Sequence, residues 1–419
     1  MLNIAELTPG LTESRTAPLS VLRLRKLVVD GAPTELLTTA VAEVAEELGT
    51  DLPAELRQGM LDGLAGHGWD DAVAAFGDLK DSGAAFYLGP MRAREKSEAG
   101  LGLLHAEKDE AAAQVVDAVE SVVEDLGQAL FGFPCSFHGR RVEFYDLKVA
   151  GGPLTDFPEV PIALFAPFYL DGWKDSARQL ARRRTILLTN VVMERFRQIT
   201  EQVLRAGVLI DGSAPLLLAA GEADLRRAVA VWLTLHELMH GSGPMPFFAS
   251  WSGKDQVEEY GAIEEARVDM SGFLAADLLA DVLPGARLAR ELIVVERLFR
   301  SARSALLGDV PTAEQKLDDQ HGLCWLGLGL RSGALSAGRT GIEVDLGVLA
   351  AEVRSALGRV YEVEQQAAES EDPERFLRQA AGPLRRLLLP AEPLPGSDSV
   401  TDFLRRHTGC VATGVKLSH

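Results

Sequence analysis

The sequence contains only three cysteines, Cys135, Cys324 and Cys410, which are far apart and lack the spacing of a metal or redox motif. An odd number of separated cysteines argues against a disulfide framework and favours buried thiols in a reducing compartment. Residues 1–11 have neither the basic start nor the apolar stretch of a signal peptide. We therefore expect a cytoplasmic protein.

Long apolar runs and blocks of basic residues are also missing. The strongest apolar stretch, residues 323–330, is too short and too rich in glycine to span a bilayer. The 42 Lys and Arg residues face 61 Asp and Glu residues, which gives a formal net charge of −19. This negative charge repels phosphate backbones, so we expect no nucleic acid as partner. Because the apolar stretches are short, we expect no membrane either.

The sequence does have enough apolar residues for a large folded protein, because 47% of its 419 residues are hydrophobic and 25% are charged. Lys, Asn and Tyr are sparse while Ala, Leu, Arg and Gly are abundant. That composition is typical of a GC-rich bacterial genome, so we expect a bacterial protein.

Apolar periodicity predicts a mixed first half and a helical second half. Apolar residues recur at intervals of three and four within residues 33–79, which indicates helices. Aromatic and β-branched residues indicate short strands at residues 84–90, 141–149 and 161–170. The expected fold is α+β and predominantly helical. The helices predicted further along cover residues 185–206, 222–240, 256–283, 286–307, 323–330, 344–364 and 373–388.

Glycine-rich connections at residues 207–221 and 241–253 are typical of a passage from one lobe to another. We predict three segments along the chain, the last of which begins with a loop rich in Pro and Ser. They are a mixed α/β N-terminal lobe at residues 1–220, a helical catalytic lobe at 221–389 and a C-terminal tail at 390–419.

The chemistry is concentrated in the motif His236-Glu237-x-x-His240. Two histidines four residues apart lie on one face of a helix, so both imidazoles can bind one Zn²⁺ while Glu237 acts as a base on water. Glu222 favours the start of that helix and Gly241 its end. The alternative is a pair of core histidines that bind no metal.

A zinc site with two histidines needs a third protein ligand and an open position for water. Glu265 follows His240 by 25 residues inside a second helical pattern, with Asp269 one turn further on. This spacing lets Glu265 bind the metal while Asp269 accepts the outer N–H of an imidazole, for which we expect His236. Glu264 is a further candidate for such an outer contact.

The acidic residues of this stretch have a simpler interpretation as well. Five carboxylates within twelve residues are typical of a solvated helix face. Small residues around the same helix, among them Gly261 and Gly272, would instead allow close approach of a neighbouring helix, and they favour the metal site. The five carboxylates are Glu258, Glu259, Glu264, Glu265 and Asp269.

These motifs resemble those of the gluzincin metallopeptidases, and most of all those of the dipeptidyl peptidase III family. His-Glu-Leu-Met-His-Gly-Ser-Gly at residues 236–243 and Glu-Glu-Ala-Arg-Val-Asp at 264–269 are similar to its two zinc motifs. Residues 185–196 resemble the helix that precedes the zinc motif in that family. Residues 319–321 resemble the segment that contains its active-site histidine. The resemblance covers residues 142–335.

The resemblance implies one Zn²⁺ per chain bound by His236, His240 and Glu265, with Glu237 as general base and His321 as a hydrogen-bond donor to the transition state. It also implies two lobes around a cleft, with zinc on the helical lobe. The same ligands tolerate cobalt or manganese. His321 also fits an exposed position in the polar run at residues 318–321.

The chain departs from the family in three respects. The family motif has one more residue between its histidines, the gap to the second motif is commonly longer, and typical members are longer chains. A shorter chain can lack the residues that hold the free amino terminus of a peptide, so the release of dipeptides is a separate question.

We expect a zinc-dependent hydrolase that cleaves an amide, with a peptide as the first choice of substrate. Two alternatives stay open: the same scaffold acting on a small non-peptide amide of a biosynthetic pathway, and an inactive module that binds zinc or peptide. The sequence gives no oligomeric state.

Three further residues are candidates for contact with the substrate. Tyr87 and Tyr260 could each donate a hydrogen bond to an oxyanion, although both also fit ordinary packing. Asn190 could bind the substrate backbone, although capping its helix or closing a turn is the simpler role.

Overall fold

The computed structural model forms two compact units. One is built from residues within 1–113 and 139–192, and the other from residues within 114–138 and 193–414. Across the described ranges no helix is long and apolar enough to span a membrane. The structure describes residues 17–79, 82–91, 100–133, 135–152, 163–164, 184–246, 260–301, 317–339, 341–388 and 397–414.

The first unit contains a five-stranded sheet in the order β1-β2-β3-β5-β4. Neighbouring strands are antiparallel except β3 and β5, which are parallel. Most side chains of β1, β2 and β5 are buried, so the sheet supplies much of the core of this unit. The strands are β1 Ala84–Met91, β2 Gly100–Lys108, β3 Arg141–Gly151, β4 Ala163–Leu164 and β5 Arg184–Leu188.

Four helices precede β1 in the first unit, and three of them pack against this sheet. Helix α1 packs against β2 and β3, and helices α3 and α4 pack against β1. In α2, Leu37, Ala40, Val41 and Val44 recur at intervals of three and four and are buried, which is the periodicity of an amphipathic helix. The helices are α1 Leu19–Val29, α2 Thr34–Leu48, α3 Ala54–Leu64 and α4 Asp70–Asp78.

Two strands of this sheet were not predicted. Residues 184–188 form β5 rather than the start of a helix, and β2 was missed. All five side chains of β5 are buried, and such a strand reads as a continuous apolar run whose periodicity does not distinguish it from a buried helix. Of the strand expected at 161–170, only 163–164 lie within the described residues, and they form β4.

The second unit is built mainly from helices. Helix α9 packs against α10 and α11, while α10 also contacts α11, α12 and α13. These and the other helices outside the α1–α4 layer have the following bounds: α5 Glu110–Glu120, α6 Val123–Phe131, α7 Thr189–Arg195, α8 Glu201–Arg205, α9 Glu222–Met239, α10 Gly261–Leu278, α11 Ala286–Val295, α12 Leu317–Ser332, α13 Leu346–Ala368, α14 Pro373–Leu388 and α15 Ser397–Gly414.

Two stretches of this unit are π-helical: the first π-helix, Phe196–Thr200, and the second π-helix, Glu296–Ser301, which continues α11. The predominantly helical α+β fold class is thereby confirmed.

A three-stranded sheet in the order β6-β8-β7 was not predicted, because strands of three residues are too short to show alternation. Its strands are β6 Val208–Ile210, β7 Leu335–Ala337 and β8 Ile342–Val344.

The two units divide the chain at other positions than the predicted lobes. Residues 193–220, which we had assigned to the N-terminal lobe, group with the helical unit because α8 and β6 pack there. The predicted C-terminal tail contains helix α15, which contacts α8 and β7. The lobe assignment itself stays a prediction.

Cys135 and Cys324 are buried, free thiols. Burial raises the pKa of Cys135 to about 11 and that of Cys324 to about 12, so both are protonated at neutral pH. The side chain of Cys410 lies outside the described part of the chain.

A buried ion pair joins β5 to β3 in the first unit. Arg184 donates to a carboxylate oxygen of Glu143, to the carbonyl of Phe76 over 2.7 Å and to the hydroxyl of Tyr145 over 3.0 Å. Removing one partner of such a pair leaves the other charge without compensation in a medium of low polarity.

Replacing Arg184 by Met should therefore lower the free energy of unfolding by about 3 kcal/mol. The surface pair Arg23–Glu43 offers a matched control, and Arg23→Met should cost under about 1 kcal/mol. Urea unfolding followed by circular dichroism measures both variants. Equal losses in the two would contradict the role given to the buried pair.

Glu291 on α11 is a buried carboxyl group that accepts a hydrogen bond from the backbone N–H of Leu217 over 3.3 Å. Burial raises its pKa to about 7, although the backbone hydrogen bonds oppose the shift. The folded state therefore binds a proton more tightly than the unfolded chain does.

The stability contributed by this proton is greatest below about pH 4.5, the ordinary pKa, and is lost as the pH rises to about 7. Glu291→Gln should remove this part of the pH dependence and make the variant relatively more stable at neutral pH. Thermal midpoints of both proteins measured across this range test the expectation. Parallel curves would show that Glu291 does not titrate there.

Candidate metal centre

Helices α9 and α10 bring three potential metal ligands together. His236 and His240 come from α9 and Glu265 from α10, and their ligand atoms all lie within 4.8 Å of one another. The Nε2 atom of His236 is 3.4 Å from Oε2 of Glu265, and Nε2 of His240 is 3.9 Å from Oε1. Two imidazole nitrogens and one carboxylate thus converge on a common point.

This arrangement fits a divalent transition ion. Ligands bound tetrahedrally to zinc are roughly 3.3 Å apart, close to the two separations observed here. Two histidines and a glutamate are also a ligand set of catalytic zinc sites. The side chains of His236 and Glu265 are 13% and 31% exposed, so water can reach the centre from their side.

The outer nitrogens of both imidazoles face carboxylates of α10. Nδ1 of His236 lies 2.8 Å from Oδ1 of Asp269, and Nδ1 of His240 lies 3.1 Å from Oε1 of Glu264. An Nδ1–H that donates to each carboxylate leaves Nε2 with a lone pair directed at the centre. The carboxylates therefore determine which nitrogen of each ring can bind a metal ion.

Asp269 is fully buried and has further partners. Trp232 Nε1 donates to its Oδ1 over 3.4 Å, and Arg297 Nε donates to its Oδ2. The guanidinium of Arg297 also lies 5.5 Å from the centroid of the Trp232 ring. These donors hold the carboxylate of Asp269 oriented towards His236.

Burial by itself would lower the pKa of His236, but the negative charges and hydrogen bonds of Asp269 and Glu265 raise it to about 10. A protonated imidazole cannot act as a ligand. Metal binding at this centre therefore has to displace a proton from His236.

A close backbone contact fixes the end of α9 directly after the second histidine. A Cβ atom at Gly241 would lie 1.7 Å from the carbonyl oxygen of Ser136, so only glycine fits there. The carbonyl of Gly241 accepts a hydrogen bond from Nε2 of His138 over 3.1 Å. The turn after His240 is therefore held by contacts at the Cα atom and at the carbonyl group of Gly241.

Glu237 follows His236 on α9 and is only 3% exposed. His321 lies inside α12, which begins at Leu317 and not after this residue as we had expected. The side chain of His321 lies outside the described residues. Its role as a donor to the transition state stays a prediction.

The other candidates have defined positions. Tyr87 is buried in β1, where burial raises its pKa well above the usual value, and its hydroxyl has no hydrogen-bond partner among the described residues. Tyr260 donates to Oε1 of Glu364 over 3.1 Å. The amide oxygen of Asn190 accepts from the backbone N–H of Leu147 in β3 and its amide nitrogen donates to the carbonyl of Leu147, each over 2.9 Å, so this side chain connects α7 to the sheet.

Three charged residues of this region were not predicted from the sequence. Arg267 lies three positions after Glu264 on the same helix, a spacing that could have indicated an ion pair. Arg297 and Glu364 come from other helices, and no local pattern connects them to the zinc motifs.

Comparisons with known proteins show a shared fold. No family model matches the sequence, and no curated protein matches it. The structure of DPP III from Caldithrix abyssi is 13% identical with a TM-score of 0.63, and the match covers 92% of this chain and 73% of that one. The dipeptidyl-peptidase III from Corallococcus sp. strain EGB is 17% identical with a TM-score of 0.54, covering 96% and 71%. The chain has a DPP III-like fold.

The convergence of the three ligands predicts stabilisation by a divalent ion. Zn²⁺ at about 100 times its dissociation constant should add about 2.7 kcal/mol to the free energy of unfolding. His236→Ala should abolish the resulting rise in thermal midpoint, whereas the exposed His67 provides a control whose replacement by Ala should preserve it. A wild-type protein that shows no shift with Zn²⁺, Co²⁺ or Mn²⁺ would contradict the metal assignment.

Proposed function

We propose that the protein is a zinc-dependent hydrolase that cleaves amide bonds, most simply those of peptides. The observation that carries the proposal is the convergence of His236, His240 and Glu265, with the outer nitrogen of each imidazole on a carboxylate. A merely structural zinc site is usually closed by four protein ligands, whereas these three leave a position for water.

Bound zinc would polarise a substrate carbonyl and lower the pKa of water. Glu237 then accepts a proton from the attacking water at its carboxylate and delivers it to the departing amine. Its burial on α9 keeps competing bulk water away from this carboxylate. Asp269 and Glu264 hold the protons on the outer nitrogens of the imidazoles throughout.

Two lines of support favour a peptide as substrate. The zinc motifs resemble those of the dipeptidyl peptidase III family, and the fold is shared with two structures described as DPP III. The matches leave more than a quarter of each of those chains uncovered, so the length of the released product is best determined by experiment.

Glu237→Gln should decrease the turnover of amide substrates by about 10²- to 10⁴-fold because it removes the general base while preserving shape. Zinc content should stay at one ion per chain, since Glu237 is not a ligand. Glu222→Gln, an exposed change on the same helix, should retain wild-type rates. Full activity in the Glu237 variant would contradict the mechanism.

Product analysis by mass spectrometry with short peptides of several lengths should detect cleavage by the zinc-loaded protein. Release of two-residue products would extend the likeness to dipeptidyl peptidase III from fold to activity. Cleavage of only a small non-peptide amide from a metabolite panel would instead favour the biosynthetic alternative. Zinc-loaded protein that hydrolyses neither class would overturn the proposal in favour of a binding module.

A further inference from the structure

Arg267 is a fully buried guanidinium next to the candidate metal centre. Its Nε and Nη2 atoms donate to the two carboxylate oxygens of Glu264 over 2.9 and 2.6 Å, which is a bidentate pair. Nη2 also donates to the carbonyl of Met239 over 2.9 Å, and Nη1 donates to the carbonyl and hydroxyl oxygens of Ser242 over 3.3 and 3.2 Å. One side chain therefore binds the residue before His240, a residue shortly after it, and its carboxylate partner.

A second carboxylate approaches the same guanidinium from helix α13. Oε1 of Glu364 lies 3.5 Å from Nε of Arg267 and accepts a hydrogen bond from the hydroxyl of Tyr260 over 3.1 Å. The guanidinium carbon also lies 5.8 Å from the centroid of the Tyr361 ring. Glu364 and Arg267 are both fully buried, so their charges interact with little screening by solvent.

We propose that Arg267 is a positioning residue for the metal ligand His240, and that Glu364 holds Arg267 in place. The proposal rests on the proposed function in so far as it requires a metal ion at His236, His240 and Glu265. It adds two residues that touch neither the metal nor the substrate.

The geometry supports a positioning role in two ways. A bidentate guanidinium fixes the plane of a carboxylate, so Glu264 can present Oε1 to the Nδ1–H of His240 in one orientation only. The contacts with Met239 and Ser242 fix the backbone on either side of His240 as well. The ring and the backbone of His240 are therefore both held in place by the side chain of Arg267.

The competing interpretation is that Arg267 and Glu364 form a buried ion pair that contributes only to folding. The two interpretations differ in what happens to a variant that folds. A positioning residue alters the binding and the ligand field of the metal, whereas a purely structural residue alters only the stability of the protein.

The test uses the full chain with Arg267→Met, Arg267→Lys and Glu364→Gln. Zinc affinity is measured by competition with a chromophoric chelator, and the Co²⁺-loaded proteins are compared by visible absorption. Arg267→Met should bind zinc about 10- to 100-fold more weakly and should change the Co²⁺ spectrum. Arg267→Lys keeps the positive charge but loses the planar guanidinium group, so its zinc affinity should lie between those of Arg267→Met and the wild type. Glu364→Gln should lose less zinc affinity than Arg267→Met.

Arg184→Met is the matched control, because it removes a buried Arg–Glu pair in the other unit. It should lower the thermal midpoint while leaving zinc affinity and the Co²⁺ spectrum unchanged. If Arg267→Met does not fold, Arg267→Lys and Glu364→Gln give the same comparison. Folded Arg267 variants that match the wild type in affinity and spectrum would overturn the inference, whereas a wild-type protein that binds no metal would overturn the proposed function itself.

Discussion

The packing of α9 against α10 depends on the pairing of two buried carboxylates, Glu264 and Asp269, with buried guanidinium groups. An isolated carboxylate in the interior is strongly unfavourable, and in practice it would take up a proton. Arg267 and Arg297 compensate these charges and so preserve them as hydrogen-bond acceptors for the two imidazoles. The orientation of the candidate metal ligands thus follows from a requirement of helix packing.

The guanidinium groups compensate only part of the negative charge of this region, and the remaining negative charge favours the binding of a cation. With all five carboxylates of this region ionised and both imidazoles neutral, as metal binding requires, the two guanidinium groups leave an excess of three negative charges. A divalent ion would reduce this excess to one, so metal binding relieves repulsion among groups that the fold already places together. The carboxylates are those of Glu237, Glu264, Glu265, Asp269 and Glu364, and the guanidinium groups are those of Arg267 and Arg297.

The part of the site that the sequence predicts is the part that helical spacing controls. Two histidines four residues apart share a helix face wherever the helix lies, and the same holds for Glu265 and Asp269. Arg297 and Glu364 reach the site through tertiary packing of α11, its π-helical continuation and α13, which no local spacing encodes. The missed strand β5 has a similar cause, because its continuous apolar run also fits a buried helix and only its neighbours β3 and β4 decide between them.

The two π-helices explain how a residue of the second one reaches a carboxylate of α10. A π-helical turn contains more residues than an α-helical turn, so it redirects the side chains along the helix, and such segments are frequent at functional sites. In the second π-helix, Glu296 accepts a hydrogen bond from Thr200 of the first, while the next residue, Arg297, donates to Asp269. The two consecutive side chains point to different neighbours, and the contact between the π-helices holds the turn that carries both.

The support for His236 therefore extends beyond α9 and α10 to a pair of irregular helical turns. Their packing, and not the zinc motif itself, sets the position of Arg297.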